Sequence, residues 1–344
     1  MKHHALKISS YPVALSTLAF TVVVSFSAKA ITEEHLTKNF TVQPGGKLVV
    51  QVDMGSVEVS TNGGNEVAID VLRKIGRNKK ADEGKYLRDH PVEFKQDGDT
   101  VTVRCRGGKN NWNFIHRNKN EAKYTITVPA KFNARVDTAG GAIEMSDLTG
   151  EVKADTSGGG LKFSRIHGPL AGHTSGGGIH LFDCEGKIGI GTSGGGITST
   201  GGSGSLDAET SGGAIKVSKF QGPANVRTSG GGITLEDVTG QIRGETSGGG
   251  IRADLPAPLA GPVKLETSGG GITVRLAASA AFDLDAETSA GDVTSELPIT
   301  ITGKVHHSHL KGQVNGGGHS MILRSSAGGI HLLKSDRQLA EEPK

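Results

Sequence analysis

Three stretches of this 344-residue sequence carry residue types whose spacing could support chemistry. The first is His306-His307-Ser308-His309, with His319 and His331 downstream, and imidazoles are common zinc and copper ligands. On a strand, alternate side chains face opposite ways, so only two of these rings reach one ion, and no Cys or acid is spaced with them. The spacing favours a polar end cap, and no metal is assigned. The second is Gly201-Gly202-Ser203-Gly204-Ser205-Leu206-Asp207, similar in composition to a calcium-binding β-roll nonapeptide. Its Asp is out of step with that motif, so calcium is not assigned either. The third is Arg104 to Lys123, with six basic residues against the single acid Glu121 and the only Trp of the chain. Within it Lys109, Trp112, Phe114 and Arg117 form a basic and aromatic cluster suited to an anionic glycan or a lipid headgroup, each rim charge adding little alone in salt. No strand or helix period runs through this stretch, which predicts a loop, and loops on rigid scaffolds carry binding. The competing reading is that Trp112 and Phe114 tuck over an open end of the fold as a hydrophobic lid.

Other candidates are weaker. The Ser-Gly-Gly-Gly runs are not phosphate loops, because no Gly-Lys-Ser/Thr and no helical pattern follows them. Cys105 and Cys184 are the only cysteines, too few for a disulfide scaffold or a multi-Cys zinc domain. They are free to pair only if the fold brings them together, and Cys184 stands in a column of apolar residues, which suits a buried thiol. No catalytic residue and no cofactor is assigned.

Residues 1–30 have Lys2 and Lys7 at the front, an apolar middle from Val13 to Phe26, and Ser27-Ala28-Lys29-Ala30. That pattern predicts a secretory signal peptide cut after Ala30, and hence export to the periplasm, the cell surface or the medium. The apolar run falls short of a membrane span, and no later segment is long enough. The leader carries three of the 38 Lys and Arg residues and no acid, so the remainder balances 35 against 35. The chain lacks the dense basic footprint of a nucleic-acid binder.

The elements that must position any site are set by a repeat. Thr-Ser-Gly-Gly-Gly-Ile, with small variations, begins at Thr138, Thr156, Thr174, Thr192, Thr210, Thr228 and Thr246, at intervals of 18 residues. Copies follow at Thr267 and Thr288, each 21 residues on, and a worn copy begins at Ser325. Such regularity predicts a solenoid. With Thr as position zero, apolar residues recur at positions five and seven (Ile143 and Met145, Ile233 and Leu235), ten (Leu148, Phe220) and fourteen (Val152, Ile242). Alternation then gives each coil two short strands, with Thr facing inward at the end of the second. The outward column Lys153, Ala171, Gly189, Asp207, Asn225, Arg243 varies in size and charge, unlike an ice-binding ladder. One coil orders 18 residues at roughly 1–2 kcal/mol each while burying four or five side chains worth roughly 1.5–3 kcal/mol each, so coils must stack to be stable.

The expected organisation is a signal peptide (1–30), a β-rich N-terminal cap region (31–135), the β-solenoid array (136–334) and a polar tail (335–344). In the cap, Lys47–Val52, Ser56–Ser60, Glu66–Leu72 and Thr100–Arg104 read as strands and Lys79–Arg88 as a short helix. The cap and the tail from about residue 296 are expected to cover the two sheet edges.

Tyr124-Thr125-Ile126-Thr127-Val128-Pro129, followed by Val136-Asp137-Thr138-Ala139-Gly140-Gly141-Ala142-Ile143, resembles the bacterial "putative adhesin" β-strand-repeat family of unknown function. The ending, Gly312 to Gly318 and then Ser326 to Leu332, is similar to that family's, and the resemblance covers about residues 40–334. It implies an exported all-β solenoid with an adhesin label. With the missing catalytic clusters and the basic and aromatic cluster above, the expectation is a non-enzymatic, adhesin-like binding or scaffolding protein, its partner unnamed and its ligand an anionic glycan or another envelope component. The alternatives are a polysaccharide-active β-helix enzyme, which needs carboxylate clusters and aromatic platforms that the outward positions do not repeat, and a self-assembling structural scaffold.

Overall fold

Each Thr-Ser-Gly-Gly-Gly run makes the turn that carries the chain from a strand of one sheet to a strand of the other. The computed structural model describes residues 22–23, 32–76, 80–107, 119–301 and 306–335. The signal-peptide cleavage site at Ala30 and residues 336–344 of the polar tail lie outside the described residues. The strand before each Thr belongs to one fifteen-stranded sheet and the strand after the glycines to another. Coils pair in register, position on position: Ile143 with Leu161, Ile179, Ile197, Ile215, Ile233, Ile251 and Ile272 in one sheet. Inward positions five, seven, ten and fourteen are buried as expected, for example Ile233 at 1% exposure and Leu148 and Phe220 at 0%. The fold is therefore the all-β solenoid that the periodicity predicts.

Two turn features recur along the array. At position nine the chain takes a left-handed conformation at Asp147, Arg165, Asp183, Gly201, Lys219 and Asp237. At position three, a glycine is required by contact. A Cβ on Gly195 would lie inside the van der Waals radius of the Gly177 carbonyl oxygen one coil back, and the same holds for Gly159, Gly177, Gly213 and Gly231. The neighbouring Gly194 is less confined: a Cβ there would meet nothing nearer than 3.4 Å. Ala290 and Ala327 occupy that column in later copies, whereas position three is glycine in every copy.

The Thr column locks these turns together. Each hydroxyl is buried and donates to the carbonyl of the position-three glycine in the adjoining coil, at 2.7–2.8 Å from Thr156 through Thr246. From Thr174 through Thr267 it also accepts a bond from the position-three N–H of its own coil, as in Gly195 to Thr192 at 3.3 Å. The expected inward Thr stack is thus a side-chain-to-backbone ladder rather than a chain of hydroxyls.

Chain order and spatial order part company at both ends. The last copy, His319–Ser325 and Ile330–Lys334, slots between the coils that begin at Thr267 and Thr288. The Thr ladder follows space: Ser325 bonds to Gly270 and Thr288 to Gly328. At the other end Lys47–Val52 and Ser56–Asn62 lie between the coil of Asn133–Thr138 and that of Thr100–Cys105 with Lys119–Pro129. The strands on either side of the 135/136 boundary therefore stack in the same two sheets, and the strand Asn133–Thr138 runs across it. Among the described residues twelve coils stack, a rod of roughly 50–60 Å at ~4.8 Å per coil. The segment from 296 onward supplies both an inserted coil and an edge: His309–Val314 pairs antiparallel with Phe282–Thr288 and with Ile299–Thr300.

The N-terminal end is finished by longer antiparallel strands. Glu66–Gly76 pairs with Lys119–Pro129 and with Thr32–Thr41, which also pairs with Val22–Val23. The expected helix is present over Lys80–Asp89 and ends one residue beyond Arg88. Lys119–Lys123, expected to be loop, belongs to the strand ending at Pro129, because antiparallel pairing to Leu72–Gly76 extends it beyond the coil.

Gly195→Ala should therefore destabilise the rod by about 3 kcal/mol, as overpacking does, while Gly194→Ala stays within about 1 kcal/mol of wild type. Urea midpoints of the two variants check this, and equal midpoints would show that position three tolerates a methyl group.

Candidate functional site

The N-terminal end of the rod combines a pocket with a buried polar cluster. Along the strand Glu66–Gly76, Val67, Ile69, Val71, Arg73 and Ile75 all face inward, so parity alone places a guanidinium in an apolar column. Arg73 is 3% exposed. Its Nε donates to Glu34 at 2.6 Å, a second nitrogen reaches the same carboxylate, and Nη1 donates to the His90 carbonyl at 2.6 Å. Burial of this charge is tolerable because it is paired and hydrogen-bonded. The helix Lys80–Asp89 contributes Glu83, fully buried and accepting from the Thr32 hydroxyl at 2.6 Å, and Tyr86, which stacks on His90 with ring centroids 4.1 Å apart. His90 Nδ1 donates to the Tyr86 carbonyl at 3.0 Å, and its Nε2 is buried without a hydrogen-bond partner.

Cys105 completes this cluster. Register places it in the Thr column of the outermost coil, opposite Val52 and in line with Thr138. Its thiol lies 3.8 Å from the His90 carbonyl and 3.7 Å from Arg73 Nη1. Burial pushes that thiol above its ordinary pKa, against the opposing pull of Tyr124 and Arg73. Burial likewise holds the Tyr124 phenol far above its usual range. Sequence reading passed over Arg73 and Glu83; the alternation around Arg73 was the signal that could have found it, whereas nothing local marks Glu83 as buried.

Next to this cluster a pocket of about 620 Å³ is lined by Met54, Ser56, Leu72, Lys74, Asn120 and Lys123, among others. Lys74 pairs with Glu33 at 3.2 Å and Lys123 with Glu58 at 2.9 Å. Tyr86 Oη donates to Met54 Sδ at 3.4 Å, tying the pocket wall to the helix. Asp53 accepts the Gly107 N–H at 2.6 Å, which fixes the point where the chain leaves for residues 108–118. Lys109, Trp112, Phe114 and Arg117 lie outside the described residues; the segment that carries them leaves from Gly107 and returns at Lys119–Asn120, on the pocket's margin.

The other sequence candidates separate in space. His306 and His309 form a β-bridge, His309 faces Asp285 at 3.5 Å, and His331 contacts the Thr294 hydroxyl at 2.8 Å. Among the described residues no three His, Cys, Asp or Glu side chains gather as metal ligands. Asp207 of the glycine-serine run accepts from Asn225 at 2.9 Å on the outer sheet face. Cys105 and Cys184 are both free and buried. Four coil steps, roughly 19 Å, separate them, so the pairing left open by the sequence does not form.

Along the rod, charges mostly answer charges one coil away. Lys162 meets Glu144 at 2.5 Å, Lys216 meets Glu236 at 3.0 Å, and Arg165 grips Asp147 through two bonds of 2.6 and 2.9 Å, holding that carboxyl below its ordinary pKa. No described helix is long and apolar enough to cross a membrane, which says nothing of strands.

A family model described as Toastrack DUF4097 matches residues 46–333. Similar solved structures include a "putative cell adhesion protein" from Clostridium sporogenes, 12% identical, covering 88% of this chain and 100% of its own, with a TM-score of 0.22. A "putative adhesin" from Parabacteroides distasonis is 11% identical over 87% of this chain and 97% of its own, TM-score 0.39. A "putative lipid binding protein" from the same species is 11% identical over 87% and 96%, TM-score 0.29. No curated protein matches the chain.

Because burial raises both thiols, native protein at pH 8 should resist iodoacetamide and take up two adducts once denatured without reductant. Intact mass spectrometry reads this; adducts on the native chain, or none after denaturation, would contradict the burial or the free state of the thiols.

Proposed function

As the chain belongs to the Toastrack DUF4097 family, we propose that it is an exported, non-enzymatic rod of the bacterial envelope or surface that binds a partner through its N-terminal end. The signal-peptide pattern of residues 1–30 supports export, with cleavage after Ala30. The adhesin names of the similar structures agree with this reading but carry no weight beyond agreement. One observation carries the choice of the end over the flank. The chain leaves toward residues 108–118 at Gly107, anchored by Asp53, and re-enters at the strand Lys119–Pro129, whose Asn120 lines the 620 Å³ pocket, while the flanks pair most of their charges internally.

The segment's cations and Trp112 fit an anionic glycan or another anionic envelope component. Buried polar groups of the helix cluster hold Gly107 and the strand Glu66–Gly76 in fixed relation, and pre-ordering of this kind reduces the entropic cost of binding.

A glycan array probed with the chain after removal of residues 1–30 tests the proposal. Binding to anionic glycans should weaken as salt rises, and Trp112→Ala should weaken it about tenfold with the melting temperature unchanged. A drop in melting temperature with binding intact would make the segment a lid. Filament formation without any glycan signal would favour a structural scaffold instead.

A further inference from the structure

Among the described residues the two sheets end in four strands: Val22–Val23, Glu93–Asp97, Val293–Ser295 and Ile299–Thr300. All are short, and short edges are one way a sheet avoids pairing with other chains. The first differs in kind, because it belongs to residues 1–30. Val22 and Val23 pair antiparallel with Leu36 and His35 of the strand Thr32–Thr41. Cleavage after Ala30 removes that cover, so this inference rests on the export proposal above. The edge then uncovered is 10 residues long and contains no Pro.

Hydrogen-bond parity shows what that edge offers. In an antiparallel ladder only alternate residues turn their backbone groups toward a given neighbour. The Val42 N–H donates to the Asn65 carbonyl at 3.0 Å, and the pairing continues with Thr41 opposite Glu66 and Phe40 opposite Val67. The even-numbered residues of Thr32–Thr41 therefore bond to Glu66–Gly76, and Glu33, His35, Thr37 and Asn39 turn their N–H and C=O groups to the edge. Thr41 follows the same parity, and its carbonyl accepts from Gln96 at 2.7 Å. Side chains then restrict the occupant. On the inward face Leu36 lies between Glu34 and Lys38. The strand that fits places a base opposite Glu34, an apolar residue opposite Leu36 and an acid opposite Lys38. Run antiparallel, Thr32–Thr41 is itself such a strand.

We propose that removal of the leader frees this strand to pair with the same strand of a second copy, joining two rods at their N-terminal ends. The twofold axis passes through Leu36. His35 then meets Thr37 and Glu33 meets Asn39 at the hydrogen-bonded positions. Leu36 meets its own copy, and Glu34 meets Lys38, at the closer non-hydrogen-bonded positions. Arg73 bonds to Oε2 of Glu34, which leaves Oε1 for the incoming ammonium. An axis through His35 or Thr37 would instead set Glu34 or Lys38 against Leu36. The contact uses the same patch on both copies, so it closes at a dimer. Its axis stands perpendicular to the sheet, so both copies present the pocket beside Leu72 and Lys74 on one face.

Sedimentation velocity over one concentration range tests the proposal. The chain lacking residues 1–30 should be a dimer, and the full chain with its leader uncleaved should be a monomer. Val23→Pro in the full chain, which breaks the pairing with His35, should restore the dimer. In the shortened chain Lys38→Glu sets acid against acid twice and should weaken dimerisation about tenfold. Thr37→Pro removes an edge N–H but no bond to Glu66–Gly76, and should weaken it as well. Both variants should keep the wild-type circular dichroism spectrum. The proposal fails if the shortened chain is a monomer or if either folded variant dimerises as tightly as wild type. It also fails if the full chain dimerises as tightly as the shortened one. The mass of the protein recovered from the envelope reads cleavage separately. A retained leader overturns the unmasking together with the export proposal, whereas a monomeric shortened chain overturns the pairing alone.

Discussion

Everything in this rod depends on how closely its glycine turns approach one another. Successive position-three glycines stack with backbone against backbone, leaving no volume for a Cβ, and the Thr hydroxyl joins each turn to its neighbour. Glycine is expensive to order, more so than any other residue. The cost is offset locally: a Thr-to-Gly bond contributes about 0.5–1.5 kcal/mol, and the contact it secures keeps the apolar columns above it in register. Register matters here because a slip by one residue would turn every inward side chain outward. The turn spacing therefore sets the coil length, the coil length sets the columns, and the columns make the core.

A rod built this way is weakest at its ends, where strands lose a neighbour on one side. Both ends answer with the same device. A segment remote in sequence is placed second from the end, so the outermost coil is tethered across it. The Thr ladder passes through these inserted coils unbroken at the C-terminal end, from Gly270 to Ser325 and from Gly328 to Thr288. At the N-terminal end the ladder stops after Thr138 bonds to the Gly55 carbonyl, because Val52 fills the column in the next coil; Cys105 holds it in the outermost coil, beside the polar cluster around Arg73 under the helix. Peeling an end coil then means breaking contacts to two segments far apart in the chain, which a simple array of sequential coils would not require.

These facts explain which parts were legible in the sequence. Columns filled by one residue type at fixed spacing, such as Thr156 to Thr246 or Ile143 to Ile272, declare their environment directly because the environment repeats. The left-handed position nine was not legible, since Asp147, Arg165, Gly201 and Lys219 share a backbone conformation but no chemistry. Spatial order at the ends was hidden for a different reason. Local pattern specifies that a segment is a coil but not which coil it sits beside. Cys105, whose nearest Thr-column relatives in sequence are 53 and 33 residues away, could not be placed in that column by spacing. At the N-terminal end Arg73 was readable by parity, whereas the contacts of His90 with Tyr86, Cys105 and Arg73 depend on packing between remote segments.

The same contrast shows where a solenoid has freedom to acquire function. Inward columns and turn glycines are held by contacts that repeat in every coil, so variation there costs stability. Outward strand positions carry no such obligation, and many are filled by ion pairs whose individual worth is small. A departure from that filling is cheap, and for that reason it is informative when it clusters. Gly195 has no alternative because the Gly177 carbonyl stands where its Cβ would go. Gly189 faces empty space, where Thr or Val would serve the strand better. Two glycines in one coil can thus carry opposite meanings, one imposed by the turn and the other unexplained by anything the rod needs to hold itself together.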